Sequence, residues 1–541
     1  MMNRLVGVLL SMLSVATAAA QVNVDYDRVL GAQSEPEAWL TYSGSYDGRR
    51  FSGLRQINVD NVHLLRPSWI FQAERRGPIN ASPIVVDGMM YVTELPATVT
   101  ALDPLTGRVI WRYRHQLPED HAVQWNNRGV AAGDGLVFYG THDGHVLAID
   151  ANTGLLRWRQ KVADHTEGYV LAAAPLLVKD KVIVGSTTGT RAVRGFLDAY
   201  DSKTGKRSWR FWTIPAPGEP SGDTWSGTSW RTGGVGAWIT GSFDPELNLL
   251  FWGTGSPVPV FDGEARKGDN LYAGSLVALD LDTGKLRWHF QFTPHDVWDW
   301  DGCHVPVLVD RIFGGRLRKL ILTANKNGYY YVIDRETGEF LLGTAFVRQN
   351  WSDGLDSWGR PRVRQSAIPG NDWTIVRPTL LGGTNWSSPS FSPQSGLFYV
   401  TVRDQSVRLR RIPAPLAAGE VFNWGGAMSL VESPDDFFGV KALETETGQV
   451  KWQFRVMLPT YSGLLSTAGG LVFGGSEDGN FFALDAESGR ALWHFQTGGI
   501  VSGNPVTYAV GGKQYVVTPA GGTVVAFTLP EAPAGTAIGS R

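Results

Sequence analysis

The sequence predicts an all-β protein, an eight-bladed β-propeller closed by pairing of its N- and C-terminal strands. Three observations point there. A string of the form A-x-D-x-x-T-G-x-x-x-W recurs along the chain, its copies are spaced like four-stranded blades, and the chain ends carry complementary parts of one further unit. Composition agrees: 65 Gly, 29 Pro and 21 Trp beside only 18% charged residues describe strands and tight turns.

The repeat reads ALDPLTGRVIW (101–111), AIDANTGLLRW (148–158), AYDSKTGKRSW (199–209), ALDLDTGKLRW (278–288), ALETETGQVKW (442–452) and ALDAESGRALW (483–493). A weaker copy, VIDRETGEFLL (332–342), lacks the closing tryptophan. Each copy reads as strand end, turn and strand start. The acid can satisfy turn amides, Thr-Gly reverses the chain, and the indole packs between neighbouring sheets. The eighth blade is expected from both termini. Pro67-Ser68-Trp69 reads as a lone outer strand, and residues 501–529 as three strands that lack one. Joining them removes the edges an open array would expose. The long intervals 209–288 and 342–452 hold the least repetitive sequence, and such insertions on a rigid scaffold commonly carry chemistry.

A formal net charge of −2 without a basic cluster argues against nucleic-acid binding as the main task. At the N-terminus, Arg4, the apolar run Leu5 to Val15 and Ala18-Ala19-Ala20 read as an export signal over 1–20, cleaved near Ala20. Residues 21–541 are then expected to form one propeller domain in the periplasm, with no stretch long enough to span a bilayer. Cys303 is the only cysteine, so an intramolecular disulfide is impossible, and without a CxxCH string no c-type haem is attached covalently.

One stretch stands apart. TPHDVWDWDG (293–302) crowds Asp296, Asp299 and Asp301 among His295, Trp298 and Trp300. Carboxylates among indoles are costly unless a metal, a proton or a reacting group needs them. The plainer alternative is a solvated acidic loop with its tryptophans as core anchors. Other unusual strings flank the repeats. Arg128 lies in VQWNNRGVAAGDGLVFYGT (123–141), and Trp238 follows the glycine-rich turn of WRTGGVGAWITGSFDPE (230–246). FWGTGSPVPVF (251–261) is a second such turn, Lys326 sits at a loop tip in ILTANKNG (321–328), and Asn385 and Trp386 stand in GGTNWSSPSFSP (382–393). Singly each reads as a surface cation, a core indole or an ordinary turn. Together they suggest an axial pocket with cations, an indole face and carboxylates, suited to a planar, multiply anionic cofactor.

On these strings the chain resembles the periplasmic quinoprotein alcohol dehydrogenases, over essentially all of its mature length. The resemblance implies pyrroloquinoline quinone (PQQ), a Ca2+ or lanthanide ion, and oxidation of an alcohol or related hydroxyl or aldehyde substrate. Electrons would pass to a soluble cytochrome c or another periplasmic acceptor. It further implies Asp299 as catalytic base, Asp301 as the extra carboxylate of lanthanide-type members, and Trp238 as the indole under the quinone. Arg128, Lys326, Asn385, Trp386 and Thr187 match cofactor-binding positions, and the metal set falls on Asp299, Asp301, Thr190 and Ser256. In the implied chemistry Asp299 takes the substrate's hydroxyl proton as hydride passes to the quinone, and Arg128 and Lys326 face the negative charge that develops.

The departures matter too. The family's paired cysteines fall on Ala122 and Val123, its metal-binding glutamate on Thr190 and its metal-binding asparagine on Ser256. Two polar quinone contacts are replaced by Ala172 and Asn80. Calcium and lanthanides favour carboxylates over neutral hydroxyls, so the two aspartates are expected to carry most of the metal. The small residues Ala122, Val123 and Ala172 would widen the pocket. His295 and His304 are expected as hydrogen-bonding neighbours rather than ligands, because hard cations prefer oxygen. The competing expectation is a propeller that has lost quinone and metal and serves as a binding scaffold. Against it, a pure scaffold has no use for buried like charges.

Overall fold

Within each repeat the aspartate ties its turn. Asp150 Oδ1 accepts from the amide and hydroxyl of Thr153 at 2.9 and 2.8 Å, and Asp201, Asp280 and Asp334 hold Thr204, Thr283 and Thr337 in the same way. The turn glycine has a second duty. Gly154 has φ +73°, and a Cβ there would come within 2.8 Å of the Trp111 ring in the preceding blade. Gly107, Gly205, Gly284, Gly338 and Gly489 cover Trp69, Trp158, Trp209, Trp288 and Trp452 alike. Each indole is thus clamped face-on under its neighbour's turn, and most also donate through Nε1 to a neighbouring carbonyl, as Trp111 does to Ala151 O at 3.0 Å. The copy without a tryptophan differs accordingly: Gly448 in the next blade faces Thr344 and Tyr330 instead.

The computed structural model describes residues 22–75, 77–119, 127–188, 191–413 and 424–531. The expected export signal, the positions Ala122 and Val123 and the expected ligand Thr190 lie outside the described residues. Eight sheets with four antiparallel blade strands each occur among the described residues, the number the repeats predict. Seven span 84–114, 131–161, 176–212, 242–291, 307–345, 390–455 and 465–496. The eighth joins strand Arg66–Gln72 to three strands between 506 and 528, with Trp69 opposite Ala526. The ring therefore closes through its termini, as expected. A short strand, Phe51–Ser52, adds in parallel to Leu465–Thr467.

Middle strands are buried throughout, as in Met89–Glu94 and Thr98–Leu102, whereas outer strands such as Val109–Arg114 bury little beyond their tryptophan. The core lies between blades, where sheet faces meet. The two long intervals hold the insertions. Short 3-10 turns Gly222–Thr224, Ser229–Arg231 and Gly263–Arg266 fill the first, and small two- and three-stranded sheets occupy the second. No helix among the described residues is long and apolar enough to cross a membrane.

Candidate active site

The stretch 293–302 folds around its first aspartate. Buried Asp296 accepts from the amides of Trp298 and Trp300 at 2.9 and 2.7 Å, and burial pushes its carboxyl up to about 6. The two indoles stack at 4.8 Å with planes 18° apart, and Trp351 packs against both. Their Nε1 groups donate to Ala367 O and Thr379 O. With alternate residues anchored inward, Asp299 and Asp301 turn the other way. Asp299 sits at φ +71°, a left-handed conformation that costs a non-glycine residue about 1–3 kcal/mol. The indole bundle holds it there.

Four sequence-predicted residues converge on this point. Lys326 Nζ lies 3.0 Å from Asp299 Oδ2 and 2.7 Å from Asp301 Oδ2. Ser256 donates twice, through Oγ to Asp299 Oδ1 at 2.7 Å and through its amide to Asp301 Oδ1 at 2.6 Å. Burial, reinforced by Asp301 and opposed by Lys326, pushes the Asp299 carboxyl up to about 7. Burial alone would lower Lys326, but the two aspartates outweigh it and hold the ammonium charged. Lys326, expected at a cofactor-binding position, bridges the carboxylate pair in this structure.

Beside this cluster lies an aromatic slot. The Arg128 guanidinium sits 4.8 Å from the ring centroids of both Trp238 and Trp386, whose planes are nearly perpendicular. It is 2% exposed, and its Nε donates to Trp238 O at 3.3 Å. Asn385 Oδ1 accepts from the Trp386 amide and lies 4.0 Å from Cys303 Sγ, within two residues of Asp301. Trp238 and Trp386 pack on the apolar group of Cys303, Ile239 and Tyr42. Thr187 is linked through Ala172: its Oγ1 accepts from the Ala172 amide at 3.1 Å, and Ala172 O accepts from the Arg128 amide at 2.9 Å. Asn80 Oδ1 accepts from Ser502 Oγ at 2.6 Å.

Both histidines near the site carry a ring-nitrogen hydrogen bond. His295 Nδ1 pairs with Gly268 O at 2.7 Å, and buried His304, pushed down to about 3 by desolvation, accepts at Nδ1 from the Ala324 amide.

Several residues had no signal in the motifs. Tyr461 stacks on Trp386 at 4.6 Å and 15°, and Arg403 lies 4.9 Å over Tyr461. Arg191, beside Thr190, is 8% exposed without a carboxylate partner among the described residues, and burial lowers its pKa. Tyr461 and Arg403 come from stretches outside the unusual strings, whereas Arg191 directly follows the expected ligand Thr190.

The residues fit a planar, polyanionic group beside a hard cation. Buried Arg128 Nη1, Trp386 Nε1, Thr188 Oγ1 and Thr384 Oγ1 have no hydrogen-bond partner among the described residues. Buried donors left in this state cost about 1–3 kcal/mol each, which a ligand with several acceptors would recover. Asp299, Asp301 and Ser256 bring together oxygen donors only, the chemistry calcium and lanthanides select.

Residues 39–347 and 436–516 match the family model described as PQQ: Glucose/ethanol/alcohol dehydrogenase, beta-propeller domain. The chain is 36% identical to the quinoprotein alcohol dehydrogenase PedH of Pseudomonas putida, over 93% of this chain and 89% of that one. It is 35% identical to the lanthanide-dependent methanol dehydrogenase of Methylacidiphilum fumariolicum, over 93% and 88%. The solved structure of the quinohemoprotein alcohol dehydrogenase ADHIIG from Pseudomonas putida superposes with a TM-score of 0.90 at 34% identity, covering 96% of this chain and 84% of that one. With this match and the site's composition in hand, the chain belongs to the PQQ-dependent alcohol dehydrogenase family of β-propeller oxidoreductases.

Proposed function

We propose that the protein is a periplasmic dehydrogenase that oxidises a small-molecule alcohol or related substrate. It works with PQQ and a calcium or lanthanide ion and delivers electrons to a soluble cytochrome c or comparable acceptor. The observation that carries the reading is the buried cluster of Asp299, Asp301, Lys326 and Ser256 beside the Arg128–Trp238–Trp386 slot. When bound, the quinone supplies a hydride acceptor and the metal a Lewis acid next to it.

The chain's own groups do the rest. Asp299 is the base that takes the substrate's hydroxyl proton; its desolvated carboxylate, near neutrality in pKa, suits that task. Ser256 Oγ holds Asp299 Oδ1 and Lys326 Nζ holds Oδ2, which together fix the orientation of the carboxylate. Asp299, Asp301 and Ser256 would hold the metal. Trp238 and Trp386 confine the flat ligand, and Arg128 offers its unpartnered Nη1 to an anionic oxygen. Asn385, Trp386 and Thr187 complete the walls. Residues from 21 onward form the propeller, and 1–20 serve for export.

The test is reconstitution. Purified protein incubated with PQQ and either Ca2+ or La3+ is expected to show bound quinone absorbance and to reduce a dye with an alcohol panel. No quinone binding under any metal would remove the enzyme reading.

A further inference from the structure

Away from the quinone slot, the joint between the first two blades holds a second constellation. His115 follows the outer strand of the first blade, and Asp143 and His145 belong to the THDGH turn (141–145) of the second. His115 Nε2 lies 3.0 and 2.9 Å from the two oxygens of Asp143, and His145 Nδ1 lies 3.2 Å from Oδ2. The three ligand atoms all lie within 4.8 Å of one another. Zinc held by imidazole and carboxylate at about 2.0–2.1 Å places tetrahedral ligand atoms about 3.3 Å apart, so little adjustment is needed.

The repeat makes this arrangement stand out. Four residues beyond the closing position of the other copies come Val162, Thr213, Phe292, Phe346, Val456 and Thr497; only the first copy has histidine. The turn aspartate by itself is ordinary. Asp478 in the matching turn SEDGN (476–480) accepts from its own Ser476 Oγ and Asn480 amide, as Asp143 accepts from Thr141 Oγ1. What this joint adds is two imidazoles on that carboxylate, His115 from the first blade and His145 from the second.

A plain hydrogen-bonded bridge would need only one of them. His115 Nε2 pairs with both oxygens of Asp143, and His145 Nδ1 reaches Oδ2 from the other side. Two imidazole nitrogens converging on one carboxylate make a donor set that a bound cation would satisfy. His115 also lines a surface cavity of about 340 Å3.

We propose that His115 Nε2, Asp143 and His145 Nδ1 form a second metal site that takes a borderline divalent ion such as Zn2+, clamping blade one to blade two. Two imidazoles and one carboxylate select this class over calcium and lanthanides, so the site is chemically distinct from the Asp299 cluster. It leaves a fourth position open to water.

The experiment uses the quinone- and metal-loaded enzyme, titrated with Zn2+ by calorimetry and with Co2+ by visible spectroscopy. Expected are one saturable equivalent per chain, four-coordinate Co2+ bands displaced by Zn2+ but not by excess La3+ or Ca2+, and a Zn2+-dependent rise in Tm. His115→Ala and Asp143→Asn are each expected to weaken Zn2+ at least about tenfold, the floor set by losing mere supporting contacts to a metal. If His115→Ala folds poorly, Asp143→Asn keeps the shape and decides the matter alone. Absence of a saturable equivalent, or unchanged affinity in Asp143→Asn with native far-UV circular dichroism, would overturn the site.

Discussion

Asp299 Oδ2 lies 3.0 Å from the Nζ of Lys326, between side chains 15% and 3% exposed. The same ammonium reaches Asp301, so one cation neutralises half of a buried carboxylate pair. Taking one partner from a buried ion pair costs about 3–5 kcal/mol, because the charge left behind is not solvated. Lys326→Met is therefore expected to destabilise metal-free protein by about that amount at neutral pH. Ca2+ or La3+ should then recover more stability in the variant than in the wild type, since the cation replaces the lost charge. Guanidinium unfolding with and without La3+ measures both; equal metal effects in the two proteins would refute the argument.

The proposed base gives a cleaner separation of binding from chemistry. Asp299→Asn keeps the volume and can still accept from Ser256 Oγ, but it cannot take a proton. Turnover is expected to fall about 10²–10⁴-fold while quinone absorbance on the protein persists. If the variant with quinone bound oxidised alcohols at the wild-type rate, the base would lie elsewhere.

How much of this could be read in advance depends on the range of each interaction. The blades were legible because Asp, Thr, Gly and Trp act within one turn and on the adjacent blade, at a spacing the repeat itself carries. The ring closure was legible because Trp69 is the one outer-strand indole without its own blade. Within the site, the indoles anchor the core as the plainer alternative had it, but the aspartates beside them are buried (Asp296 and Asp301) or half-buried (Asp299) rather than solvated. The partner choice inside the cluster was not legible. Lys326 and the aspartates are brought together only by the radius of the ring, and no local pattern encodes that. Ser256 was expected to offer a hydroxyl, but its amide contact with Asp301 follows from a turn geometry that Gly255 allows, where a Cβ would lie 3.1 Å from Asp301 Oδ1. Tyr461 and Arg403 reach the slot from separate blades, so nothing in sequence joins them to Trp386.

The clamp between blades can be isolated from backbone strain. Gly154 and Gly88 have nearly the same φ, +73° and +76°, but a Cβ at Gly154 meets Trp111 while at Gly88 it meets nothing within 4 Å. Gly88→Ala is expected to cost only the left-handed penalty of about 1–2 kcal/mol. Gly154→Ala should cost a further 1–3 kcal/mol or so from overpacking against the indole. Thermal unfolding of the two variants side by side checks the difference; equal losses would mean that the turn does not clamp the tryptophan.

Arg128 separates folding from ligand binding by sign. Its guanidinium is buried between two indoles, burial depresses its pKa, and no carboxylate pairs with it among the described residues. The flanking rings return about 0.5–2 kcal/mol through cation–π contact, which offsets only part of the desolvation. Arg128→Met fills similar space without a charge. Quinone-free protein carrying this substitution is expected to lose less than about 1 kcal/mol of stability, or to gain some. Quinone affinity should move the other way, because buried Nη1 is a donor with no hydrogen-bond partner among the described residues. A charge-assisted hydrogen bond of about 1.5–3 kcal/mol corresponds to weakening of roughly 10- to 150-fold. Unfolding of the quinone-free variant, paired with quinone titration by fluorescence quenching of the neighbouring tryptophans, reads the two quantities independently. A large stability loss with unchanged quinone affinity would make Arg128 a structural pin for Trp238 and Trp386, and the anionic ligand would then need a different cation.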